Sequence, residues 1–202
     1  MISISVASFT GLAGCALLPA AVMIRAKGIG RRPMMTRCSL FALLLGLAFL
    51  PVKGIPLAGY LRSLIGDVSI TTLVLIFLSS ISRLTDRVLY KPRSFLALMV
   101  VVAAGGLFLY PFALGLTYFD PYSLGYHSKV FVAVLFCVAL AAWYFRFYLI
   151  QFCVMLGLSG FLLGICESRN MWDYLLDPLI VIFALCWLPV ALIQKKRKSE
   201  TS

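Results

Sequence analysis

Long apolar runs separated by short polar gaps dominate this chain. Seven runs are read as membrane-spanning helices, at 2–24, 34–52, 66–82, 94–116, 129–145, 147–166 and 174–194. Several approach or exceed the roughly 20 residues needed to cross a hydrocarbon core about 30 Å thick. The pattern predicts an all-α fold, a polytopic transmembrane helix bundle of about seven spans. It forms one domain over 1–194, followed by a basic cytoplasmic tail at 195–202 that is expected to be disordered. The second run has a short apolar core, so Arg37 is expected to snorkel to the interface. Between the fifth and sixth runs, Trp143, Tyr144, Phe145, Arg146, Phe147 and Tyr148 must turn at a headgroup belt. Without that turn the two runs merge into one long helix. A further apolar piece at 55–61 is broken by Pro56 and Gly59 and is too short to span. It is expected to be re-entrant or interfacial. Gly11 and Gly14, the stretch 103–106, and Gly157, Gly160 and Gly164 place small residues where helices need close approach.

Composition agrees with the pattern. Of the 202 residues, 62% are apolar and 12% charged, against roughly 25% charged in soluble domains. A soluble domain of this size could not hide that much apolar surface. Net charge of +11 would suggest nucleic acid in a soluble protein. In a membrane protein it is accounted for by charges retained on the cytoplasmic side and by contact with anionic lipids, and no nucleic-acid partner is expected.

The placement of charge orients the bundle. Five basic residues lie from Arg25 to Arg37, in the gap after the first run and at the start of the second, four between the third and fourth, one between the fifth and sixth, and four follow the last. These gaps alternate, so fourteen of the eighteen basic residues fall on one side. Only Lys53, Arg62, Lys129 and Arg169 fall on the other. The positive-inside rule then puts the N-terminus outside and the C-terminus inside. No positive charge precedes the first run, which therefore reads as an uncleaved span.

The outer side collects the polar chemistry. Five of the seven acids lie there, Asp67, Asp120, Glu167, Asp173 and Asp177, with the single histidine, His127, and with Arg62 and Arg169. Three segments contribute: 62–67, 118–127 and 167–178. Asp173 and Asp177 are four apart and are expected to share a helix face, with Asp177 one turn inside the last span. An intramembrane carboxylate needs a cavity or a cation, and Arg62 is expected to pair with Asp173 or Asp177. Asp120 or His127 is expected to line the same cavity. Asp67 and Asp177 also suit helix starts, where a carboxylate complements the dipole.

The six cysteines form no CxxC pair and read as small apolar packing groups, with Cys166 the one that reaches the outer interface. Gly157, Leu158, Ser159 and Gly160 resemble the GxSG around the nucleophile of rhomboid intramembrane proteases. That family also needs a histidine on a later span, and none follows His127, so Ser159 lacks its base and is assigned to helix packing. No dinucleotide, Walker or HExxH motif occurs, and neither a cofactor nor a metal is expected.

The sequence thus points to the inner (plasma) membrane of a bacterium, with the working face outward. The expected function is a non-catalytic partner or scaffold in cell-envelope assembly, beside an enzyme that handles lipid-linked glycans or lipid headgroups. Membrane lipids and another envelope-assembly membrane protein are the expected partners. The alternative is a small enzyme acting on a lipid phosphate or glycolipid at the outer face. A transporter is third, because only Gln151 and Ser159 read as deep polar groups.

Overall fold

A buried backbone amide needs a hydrogen-bond partner within the protein, and the long apolar runs supply it by closing i to i−4 bonds as helices. The computed structural model describes residues 6–26, 28–115, 120–126 and 128–200. Seven long helices carry it: α1 (Val6–Met23), α2 (Met34–Ala48), α4 (Ile70–Thr85), α5 (Pro92–Ala113), α6 (Lys129–Tyr144), α7 (Tyr148–Leu163) and α9 (Pro178–Glu200). Two short helices, α3 (Leu57–Ile65) and α8 (Met171–Leu175), lie between them. The architecture is all-α apart from a minimal hairpin of β1 (Pro51–Val52) and β2 (Ile55–Pro56). Among the described residues one helix, α5, is long and apolar enough to cross a membrane, and the other six long helices carry shorter apolar stretches.

The main core is built where α4, α5, α6, α7 and α9 meet around α8. Met99, Cys153, Tyr174 and Ala184 are among its most deeply buried side chains. A satellite core joins α1, α2 and α3 through Cys15, Ala48 and Ala58, and Leu73 of α4 packs against both clusters. Small residues set the close approaches. A Cβ on Gly106 of α5 would run into Val181 of α9, and one on Gly157 of α7 would run into Leu175. Ser159 is exposed, so the packing role assigned to it belongs to Gly157 and Gly160, which are buried.

The link between α6 and α7 does turn. Arg146 takes a left-handed φ of 60°, and the Phe147 amide donates back to the Ala142 carbonyl at 2.7 Å. The apolar piece at 55–61 resolves into β2 and the start of α3. The hairpin turn has Lys53 and Gly54 at φ 49° and 84°, the pair of positive values that a two-residue turn between twisted strands requires. Helix α3 buries Ala58 and Gly59 and exposes Leu57, Tyr60 and Leu64.

Two expectations are corrected by the fold. Arg37 does not snorkel: it is buried, and its guanidinium grips Asp86 with both terminal nitrogens while Nη1 also donates to the Arg83 carbonyl at 2.7 Å. Asp86, an exposed acid at the C-terminal end of α4, supplies the partner. The tail is not a separate segment over 195–200, because α9 runs on to Glu200. Lysine and arginine propagate a helix well and complement the negative end of its dipole.

Candidate functional site

The N-terminal ends of α1, α4 and α9 meet the segments 66–69, 120–126 and 164–177, and three hydrogen-bonded knots form there. The deepest belongs to Asp177. Pro178 disfavours a helical conformation at the residue before it and itself suits the first helical position, so Asp177 becomes the cap of α9. Its Oδ1 accepts from the Ile180 amide at 2.9 Å. Its Oδ2 accepts from the Ser69 amide at 2.9 Å and the Thr72 hydroxyl at 2.6 Å, both at the head of α4. Ser69 in turn caps α4 through the Thr72 amide. One buried carboxylate therefore sits against the positive ends of two helices, which replace the cation that burial demands.

The second knot is ionic. Arg62 of α3 forms a two-pronged pair with Asp67, Nε to Oδ1 at 2.6 Å and Nη2 to Oδ2 at 3.1 Å. The same Nη2 reaches Glu167 Oε1 at 2.8 Å, and that oxygen also accepts from the Ser8 hydroxyl of α1 at 3.0 Å. Gly11 makes room: a Cβ there would overlap Asp67 Oδ1 and Arg62 Nε. The hydrogen bond to Asp67, against an opposing desolvation, holds the Arg62 guanidinium above its ordinary range, and Glu167 adds to this. Glu167 is held below the usual glutamate range, first by Arg62 and then by Ser8.

The third knot ties 120–126 to 168–173. Asp173 Oδ2 accepts from the Tyr122 hydroxyl at 2.9 Å and the Ser168 hydroxyl at 2.5 Å. Burial and the hydrogen bond to Asp173 push the Tyr122 phenol above its ordinary range, so it stays a donor. Asn170 is fully buried. Its amide donates to the Tyr122 carbonyl at 2.8 Å and its Oδ1 takes the Trp172 amide at 3.0 Å. The indole of Trp172 donates to the Pro121 carbonyl at 3.0 Å. Gly125 lies so close that a Cβ would overlap Asn170 Oδ1.

The expected residues are therefore distributed among neighbouring knots. Asp173 and Asp177 do not share a helix face, because Leu176 between them is extended at φ −132° and ψ 140°. Asp177 is the cap of α9 and does not lie a turn inside it. Arg62 pairs with Asp67 and Glu167, not with Asp173 or Asp177. Asp120 caps the 3-10 turn Pro121–Gly125 through the Tyr122 amide at 2.9 Å. It lines none of the cavities described here. His127 and Tyr118 lie outside the described residues. Arg169 is exposed on the rim of a depression of about 470 Å³ that Cys166, Glu167 and Tyr174 also line. Ser8, Gly11, Thr72 and Ser168 are members that the sequence reading did not assign to the site. Only Thr72 left a trace, three residues after a helix-capping serine; the others look like ordinary small residues in a span or loop.

Chemically, the arrangement presents carboxylates and hydroxyls already engaged with one another. Among the described residues no group of three His, Cys, Asp or Glu side chains converges as a metal site. No protein-family model, curated protein or solved structure matches the chain.

Proposed function

We propose that the protein is a seven-span integral membrane protein of a bacterial inner membrane, N-terminus out and C-terminus in. In this reading it is a non-catalytic partner or scaffold in envelope assembly, and its outer polar cap docks a protein that handles lipid-linked glycans or lipid headgroups. Support for the membrane placement is physical. Helix α5, with 22 residues, is about 33 Å long at 1.5 Å per residue, enough for a core of about 30 Å. Helices α4, α6 and α7, with 16 residues each, reach about 24 Å and need local thinning or cover from their polar ends. Val22, Leu107, Val130, Leu162, Leu163 and Phe183 are exposed, and a monomer in water seldom tolerates so much bare apolar surface.

The observation that carries the scaffold reading is that each of the five outer acids already has an internal donor. A general acid or base must meet its substrate, and here the groups are occupied in holding loops together. That favours a rigid docking face over an enzyme. Partner capture from native membranes with a tagged protein tests it. Arg169→Glu and Asp120→Lys, both at exposed positions, should release the partner while the protein still purifies folded. Turnover of a lipid phosphate or glycolipid by the purified protein, abolished by Arg62→Gln with the fold intact, would install the enzyme reading in its place. An alkaline phosphatase fused to the C-terminus should be inactive and a fluorescent protein there active; the reverse would overturn the orientation.

A further inference from the structure

At the other end of the bundle a groove between α1, α4, α9 and the start of α5 leads to a group of arginines. It encloses about 360 Å³ between apolar walls that include Leu18, Val22, Ile76 and Phe183, and Arg25 is its one charged lining residue. Along α4 it runs from Thr72 to Ser79, seven residues or about 10 Å of helix. Its apolar walls suit a hydrocarbon chain.

Charge at the inner end is unbalanced. The Arg25 guanidinium donates to the Ala21 carbonyl and the Ser79 hydroxyl, which leaves other N–H groups free to bind an anion. Arg83 stands four residues beyond Ser79 on α4, on the same face of that helix. It rests on Gly30, where a Cβ would overlap the guanidinium, and its buried Nε has no hydrogen-bond partner. The acid at this end, Asp86, is taken by Arg37. Among the described residues neither Arg25 nor Arg83 has a carboxylate within ion-pair distance. Two cations beside an apolar channel lack an anion attached to a hydrocarbon chain.

We propose that this groove holds one acyl chain of an anionic phospholipid of the cytoplasmic leaflet, with its phosphate on Arg25 and Arg83. The inference rests on the membrane placement and orientation proposed above and is independent of the scaffold role. Guanidinium recognises phosphate through parallel N–H donors, and the leaflet that attracts basic segments is the one rich in anionic lipid.

The test uses the full-length protein purified in neutral detergent and offered phosphatidylglycerol or phosphatidylcholine with the same chains. Bound lipid is counted by native mass spectrometry. Phosphatidylglycerol should be retained roughly tenfold better, the size of one charge-assisted contact. Arg25→Gln with Arg83→Gln should bring the two lipids to parity. Ile76→Trp, which fills the channel without touching a charge, should lower phosphatidylglycerol retention by a similar factor. Inorganic phosphate should not displace the lipid. Equal retention of both lipids by the unaltered protein, or a preference untouched by either variant, would overturn the proposal. Displacement by inorganic phosphate would also overturn it, making the place a free-anion site. Failure to recover the protein in membranes would instead sink the membrane placement itself; indifference to headgroup in a membrane-embedded protein sinks only the lipid site.

Discussion

The Asp177 carboxylate, at the head of α9, accepts the backbone amide of Ser69, at the head of α4, 2.9 Å away and 108 positions apart in the chain. Two long helices are thereby locked together at their N-terminal ends by one buried side chain. The same carboxylate caps its own helix through Ile180. Removing it strands donors on both helices at once. Asp177→Ala should cost about 3 kcal/mol, the sum of a lost cap and an unsatisfied buried donor. Asp177→Asn keeps an acceptor and should cost about 1 kcal/mol. Thermal unfolding in detergent measures both, and equal losses would show that the cap is not what Asp177 supplies.

Arg62 and Gly11 should act as one unit. A methyl group on Gly11 would displace the Arg62–Asp67 pair, so Gly11→Ala and Arg62→Met should each destabilise. Their effects should not add, as expected of residues sharing a contact, with a coupling of about 1 kcal/mol. A double-mutant cycle followed by thermal unfolding reads the coupling, and strict additivity would separate the two.

The same knot sets a dependence on acid. Arg62 and Ser8 depress the Glu167 pKa in the folded protein, so Glu167 contributes stability that is complete above its ordinary value and is lost as pH falls through the depressed one. Glu167 is about half exposed, so solvent screening keeps the contribution small. Unfolding midpoints taken from neutral pH down into the carboxylate range should fall less steeply for Glu167→Gln than for the unaltered protein. A parallel pair of curves would remove Glu167 from the linkage.

Gly125 and Asn170 form a close contact that admits no side chain. Gly125→Ala should force Asn170 away from the Tyr122 carbonyl and the Trp172 amide, at about 1–3 kcal/mol for the overpacking. Limited proteolysis should then cut within 120–126 faster than in the unaltered protein. An unchanged cleavage rate would show that the loop is held by other bonds.

Thiol accessibility separates a lipid face from a water face. Cys137 on α6 and Cys186 on α9 are exposed on the protein surface, while Cys15 and Cys153 are buried. In a membrane the first pair is covered by lipid, so an impermeant maleimide added to intact cells should label at most Cys166. Strong labelling of Cys137 would place water against α6 and contradict the proposed placement.

The helices and the asymmetry of charge were legible in the sequence because both are local. A backbone in an apolar run must close its own hydrogen bonds, and Lys and Arg are simply present or absent in each gap. The all-α architecture follows. The break between Asp173 and Asp177 was missed: Pro178 biases Asp177, but nothing in residue type marks Leu176 as extended. Partner choice was not legible. Whether Arg62 meets Glu167 or Asp177 depends on how helix ends distant in sequence are brought together. Backbone amides such as that of Ser69 compete for a carboxylate without any signature in residue type. The same holds for the groove ending at Arg25, whose walls come from four helices and exist only where their surfaces fail to fill the space between them. Local hydrogen bonding and hydrophobicity are properties of a segment; pairing and cavities are properties of the packing between segments, and only the tertiary structure decides them.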